Sequence, residues 1–468
     1  MNLLIVVILV IRHVVFQLWN SLRPIKSGKT FDEGDDDKAS TKRTINNIGS
    51  YADHHETAAV LNELIKKDGA GSWPPRANYN LNGWPVALRP YKRIYMDLAP
   101  LIPQVKPSLD DSVNLARITS FREQFRKLLR EQIDLAQVDH LLDAVDAGRW
   151  DIFPRDVYNA FYCCIASSRH AYRWATIPVV RVAQLEKEVT LPEELVAPWE
   201  SLQRHFGCAS DSGNNTSNLV LNFDVDGMYV FKANTAMPYS IVSAEEAFAR
   251  IFNETEVKAV PVYYNMVLAT ISWERRDKAA CARYVAGIET RLRAVMSSYY
   301  DSMHDGKISR SVWLSRVQGF YAWGVGQENE NGDWIKFDGL SGNQVPLFHA
   351  LDAFLGLEPY LSERDQKRNV PALQRAVREA FQKHSFRSQL SEEPKDEYEA
   401  QIARDMDKIV KRLRLFRTTH RVRAKAYLSQ PAPERLPMTA GKSLLKSDVD
   451  TSLDLLDTFM VRRISQTV

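Results

Sequence analysis

Residues 402–427 read IARDMDKIVKRLRLFRTTHRVRAKAY, and the one histidine among them, His420, stands where an unpaired imidazole is costly. The stretch has no Pro or Gly, so nothing in it breaks a helix. Ile409, Leu413, Phe416, His420, Ala424 and Tyr427 recur at helical spacing and share one face. Lys408, Lys411, Arg412, Arg414, Arg417, Arg421, Arg423 and Lys425 cover the others. An imidazole in an apolar stripe must have its nitrogens satisfied. Either a core acceptor does so, which is the commoner case, or a metal does. Arg417, one turn before His420, would project beside the same ligand and could pair with an acidic group.

A second stretch, 337–356, reads FDGLSGNQVPLFHALDAFLG: a Gly/Ser/Asn loop opening a helix that Gly356 closes. Asn343 is the expected N-cap and Pro346 falls in the first turn, so the loop would present backbone N–H groups and Ser341 to an anion. An axial imidazole, an arginine and a helix N-terminus for propionates make the outline of a haem site. Two other histidines compete for the metal. His349 lies in an apolar helix three residues before Asp352 and reads as a locally bonded core residue; His384 ends a helix, where the dipole stabilises a cation.

The pair FDGLSGNQVPLFHALDAFLGL and FRTTHRVRAKAYL resembles the haem-dependent indoleamine and tryptophan dioxygenase superfamily. ISRSVWLSRVQGFYAWG at 308–324, GLSGN at 339–343 and PAPERLPMTAGKS at 431–443 look more closely like its pyrrolnitrin-pathway branch, that of monodechloroaminopyrrolnitrin synthase. The resemblance runs from about residue 90 to the C-terminus, and its specificity lies in several blocks kept in fixed order. It implies haem b with His420 as the iron ligand, Arg417 on a propionate, Asp352 beside that arginine, and Ser341 and Gly342 over the haem edge. Leu340 stands where the dioxygenase loop has a glycine, which changes the pocket roof. It further implies Arg316 for a substrate carboxylate, Thr439 as a hydroxyl near the substrate in a Gly-containing loop, and Tyr162 and Cys163 on the helix walling the distal side. Ser311 and Val312, or Trp313 if the register slips, replace the two phenylalanines that precede the dioxygenase arginine. No general base beyond the haem is required.

The elements that must position these residues are helical. Hydrophobic content of 45% and charged content of 25% are those of an ordinary globular protein, and 468 residues can bury a large core. A net charge of +3 gives no global signature of nucleic-acid binding, although 408–425 is locally very basic. Four cysteines, two of them adjacent, form neither a disulfide framework nor a zinc motif, which favours a reducing, cytoplasmic setting. Residues 1–26 are an apolar leader or tether; residues 1–19 could anchor the chain to a membrane, though their uninterrupted run is short of the ~20 residues that span one.

Residues 27–50 read as a disordered linker and 51–240 as an N-terminal helical part, with 69–108 an extended arm anchored by Trp73, Trp84 and Tyr91. A long helix is expected over 156–188, bent at Pro178, and NLVLNFDVDGMYVFKAN at 218–234 reads as a β-hairpin. Residues 241–468 form the haem-binding helical domain, with helices near 244–275, 277–304, 309–325, 344–356, 371–384, 398–428 and 449–463. The expected fold is all-α, an indoleamine-dioxygenase-like bundle around haem with a small N-terminal part and one hairpin.

The expected function is a haem-dependent enzyme using O2 on tryptophan or a related aromatic amino acid, by oxidation or by rearrangement of the indole. The alternatives are a tryptophan-cleaving dioxygenase giving N-formylkynurenine and a non-catalytic haem sensor. A nucleic-acid binder built on the basic helix is the least favoured.

Overall fold

Apolar segments of helical period become helices, and three of them carry the site: Tyr239–Glu274, Lys278–Ser302 and Glu397–Leu428. The first two are joined by only three residues, which forces them to pack as antiparallel neighbours; the third lies against the second. Asp277 starts the second of these by accepting from Ala280 N–H at 3.0 Å. The computed structural model describes residues 35–69, 73, 75–104, 106–328, 334–336, 339–359, 361–428, 438–439, 442–443, 457–458 and 460–467. Contacts divide the chain into Met1–Asn46 and Asn47–Val468.

The class is all-α. Among the described residues the strands are two short antiparallel pairs, Gly326–Glu328 with Trp334–Lys336 and Met438–Thr439 with Lys442–Ser443. No helix among the described residues is long and apolar enough to cross a membrane; the expected leader and tether lie outside them.

Several expectations are corrected. Residues 35–50 of the expected linker are a helix, Asp35–Ser50. Toward its C-terminal end Ile48 is buried. Within the extended arm, Arg89–Leu98 is helical with Pro90 in its first turn, although Trp73, Trp84 and Tyr91 are buried as anchors. The helix begun near 156 is Arg155–Trp174; it stops instead of bending, with Ala175 left-handed at φ +58°.

The hairpin forms only its turn. Asp224 N–H donates to Met228 O at 3.0 Å with Gly227 at φ +75°, but pairing reduces to one bridge, Phe223 with Tyr229. Thr216–Val220 winds into a π-helical turn instead. Side chains take over the missing ladder. Asn222 accepts from Phe231 N–H at 2.7 Å and donates to Phe231 O at 3.1 Å, and Glu245 accepts from the N–H groups of Ala233 and Asn234.

Candidate functional site

His420 lies on the wall of a cavity of about 200 Å³ between the three long helices. Its own helix contributes Phe416 and Arg417 from the turn before and Ala424 from the turn after. Tyr239–Glu274 supplies Phe248, Ile251, Phe252 and Thr255, and Lys278–Ser302 supplies Met296 and Tyr299. Ser341, Gly342 and Asn343 close one side, and Met460 and Arg463 another.

Aromatic packing fixes the imidazole. Phe416 lies nearly parallel to it, at an interplanar angle of 4° and a centroid distance of 6.2 Å, and Tyr299 meets it edge-on with ring centroids 5.5 Å apart. Phe348 stacks on Phe416 from behind at 4.8 Å. The ring is half-buried because one edge borders the cavity; protein surrounds the rest. That burial lowers its pKa to about 4, so at neutral pH it is uncharged with a lone pair available. Among the described residues His420 has no hydrogen-bond partner. Two more polar atoms of the lining share this condition: the Tyr299 hydroxyl and the Trp313 indole N–H are buried and unpaired among the described residues. Three unsatisfied polar groups around one apolar cavity are what a ligand site requires, because each would be costly in a solid core.

The opposite character appears at Arg417. Its guanidinium grips Asp352 with two bonds of 2.6 and 2.8 Å, and Arg463 binds the same carboxylate. Burial raises the Asp352 pKa, and the two arginines oppose that shift. Two guanidiniums thus converge on one carboxylate, and both side chains line the cavity, where the planar fork of an arginine suits a ligand carboxylate.

The structure thus brings together His420, Arg417, Ser341 and Gly342, with Asp352 immediately behind Arg417. It does not bring Arg316 to them. That side chain donates to Pro103 O and Ile177 O, each at 3.1 Å, and is absent from the lining. Tyr162 is stacked on Phe206 at 4.2 Å with its hydroxyl accepting from Asn214, and Cys163 is buried with Sγ 4.0 Å from the Ser167 hydroxyl. Neither reaches the cavity. Thr439 pairs with Lys442 in its short strand; its side chain lies outside the described residues.

The loop also differs in detail from expectation. Ser341, not Asn343, is the cap, accepting from Asn343 N–H at 3.2 Å ahead of a 3-10 turn at Gly342–Gln344. The helix Pro346–Phe354 starts without a side-chain cap, and its Leu347 N–H donates to the Glu256 carboxylate at 3.0 Å. That donor is therefore taken by the protein, and the cationic end of the cavity is built from arginines instead. His349 is a locally bonded core residue whose Nε2 lies 2.7 Å from Asn343 O. His384 caps Ala372–Lys383 between two glutamates.

Sequence reasoning missed Arg463 and Tyr299, and reached Trp313 only as an alternative register for a dioxygenase phenylalanine. Met460 and Arg463 stand three apart in the C-terminal segment, a spacing that puts both on one helix face. Tyr299 and Trp313 gave no such signal, since a buried aromatic is ordinary until its polar atom proves unpaired. No protein family and no curated protein matches this sequence. The residues and their geometry therefore carry the functional argument.

Proposed function

We propose that the chain is a haem-dependent enzyme that holds iron through His420 and acts on tryptophan or a related aromatic amino acid, by oxidation or rearrangement of the indole. The observation that carries this reading is the neutral, unpartnered His420 imidazole on an apolar cavity wall with Arg417 and Arg463 beside it. The donor set fits the group: one imidazole lone pair for iron, aromatic and aliphatic walls for a porphyrin, and cationic side chains for its propionates. The free volume of about 200 Å³ is below the roughly 300–1,000 Å³ usual for such ligands, so the cavity walls would have to move apart to admit a porphyrin.

Bound haem would supply the redox chemistry with O2. The chain's own residues do the rest. Phe416 and Tyr299 hold the His420 ring in one orientation, and Asp352 holds Arg417 and Arg463 where a carboxylate can reach them. Phe248 and Phe252 keep water from the interior of the cavity. They also line a second hollow of only about 20 Å³ with Ser341, Gly342 and Tyr321.

The test is a titration of purified protein with haemin, followed by tryptophan, ascorbate, methylene blue and air. A one-to-one Soret band that tryptophan shifts supports the reading. Kynurenine-type absorbance identifies the ring-cleaving dioxygenase, and a different indole product the rearranging enzyme. A haem sensor is the second reading, favoured by one observation: the arginine expected to bind substrate, Arg316, is turned to main-chain carbonyls. In that case the Soret band forms and no aromatic amino acid moves it.

A further inference from the structure

Outside the cavity, the ends of three helices bring two imidazoles onto one carboxylate. His55 is the N-cap of Glu56–Lys67, Glu274 is the last residue of Tyr239–Glu274, and His384 is the C-cap of Ala372–Lys383. His55 Nε2 lies 3.0 Å from one Glu274 oxygen and His384 Nδ1 2.6 Å from the other. The two rings are 4.7 Å apart, centroid to centroid. One ligand atom from each residue falls within 4.8 Å of the others. We propose that His55, Glu274 and His384 bind a divalent transition-metal ion of the zinc class.

The donor chemistry selects the ion. Two imidazoles and one carboxylate suit Zn²⁺ and its neighbours, whereas Mg²⁺ and Ca²⁺ want oxygen alone. Tetrahedral bonds of about 2.0–2.2 Å set ligand atoms roughly 3.3–3.6 Å apart, so the two contacts to Glu274, now 3.0 and 2.6 Å, would open slightly to admit the ion. Each ring also has an outward partner, as metal-bound imidazoles do. His384 Nε2 sits 2.9 Å from Glu56, and His55 Nδ1 sits 2.8 Å from the Thr57 hydroxyl. As the residues stand, both imidazoles hydrogen-bond Glu274 and His55 Nδ1 accepts from Thr57 N–H at 3.2 Å, so a metal ion would replace the protons that His55 Nε2 and His384 Nδ1 share with Glu274, with His55 Nδ1 then donating to the Thr57 hydroxyl.

Electrostatics point the same way. Two of the three helix ends are C-terminal and so favour a cation. Glu56 and Glu274 bring two negative charges, of which Lys383 offsets one through Glu56. The ion would tie the Ala372–Lys383 helix, which packs on Glu56–Lys67, to the end of Tyr239–Glu274. The site shares no residue with the His420 cavity and does not depend on the haem reading.

The test uses full-length protein stripped with EDTA and titrated with Co²⁺, then with Zn²⁺ in competition. The expected result is one Co²⁺ per chain with the intense visible bands of a low-coordinate site, displacement by Zn²⁺, and a rise in melting temperature. Glu274→Gln, nearly isosteric, should weaken binding by about tenfold or more, and so should His384→Gln, while His420→Ala leaves it unchanged. Circular dichroism of each variant separates lost binding from lost folding. Pale, hexa-aqua-like Co²⁺ spectra, full affinity in folded Glu274→Gln, or loss of the site in His420→Ala would each overturn the proposal.

Discussion

His170 and His420 both sit on long helices amid apolar neighbours, and the protein treats them in opposite ways. His170, in the Arg155–Trp174 helix, has Phe320 O 2.8 Å from Nδ1 and Ser212 O 2.7 Å from Nε2. It joins three segments of chain. His420 meets only aromatic ring faces and edges and an open cavity. Residue type and periodicity are alike in the two cases; the supply of partners is what differs. A buried imidazole with acceptors on both sides is a structural joint, whereas one held in place without any is open to a ligand, which is the role proposed for His420.

That contrast can be broken or sharpened by substitution. Asp352 should matter most, because its removal leaves two guanidiniums facing each other in the interior. Asp352→Ala is expected to cost about 3–5 kcal/mol in denaturant unfolding. His170→Ala removes the imidazole from Ser212 O, while Phe320 O keeps the Trp174 indole N–H, and should cost about 1–3 kcal/mol, whereas His420→Ala in haem-free protein should cost less than about 1 kcal/mol. Equal losses at the two histidines would erase the distinction.

Glu256 is an intermediate case: buried, yet bonded to Leu347 N–H and to the Tyr263 hydroxyl. Burial raises its pKa to about 8 from an ordinary 4.5. Between those values the folded protein keeps a proton that the unfolded chain releases, so this contribution to stability is lost as pH rises through the window. Glu256→Gln should therefore flatten the fall in stability between pH 5 and 8 by about 1–3 kcal/mol. An unchanged pH profile would count against a protonated Glu256. The smallest effect belongs to Tyr299→Phe. Its hydroxyl bonds to no described residue, so stability in haem-free protein should move by less than about 0.5 kcal/mol.

Much of the helical fold was legible in the sequence. The period of residues 402–427 placed His420 and Arg417 on one helix, and their meeting with Ser341, Gly342 and Asp352 followed from the two motifs taken together. The apparent hairpin shows the limit. Runs of β-formers at 218–234 predict strands, but Asn222 and Glu245 satisfy the backbone that a ladder would otherwise pair. Such tertiary side-chain bonds leave no periodic trace. Arg316 was misplaced for a related reason: a motif fixes an arginine's position in the chain, whereas nearby carbonyls decide where its guanidinium goes.

The central claim is that His420 is kept free for iron, and replacing the ligand without the chain tests it most directly. His420→Gly protein, mixed with haemin and then with free imidazole, should show a disturbed Soret band that imidazole restores to the wild-type position. A wild-type spectrum in His420→Gly before imidazole is added, with full haem occupancy, would contradict the account.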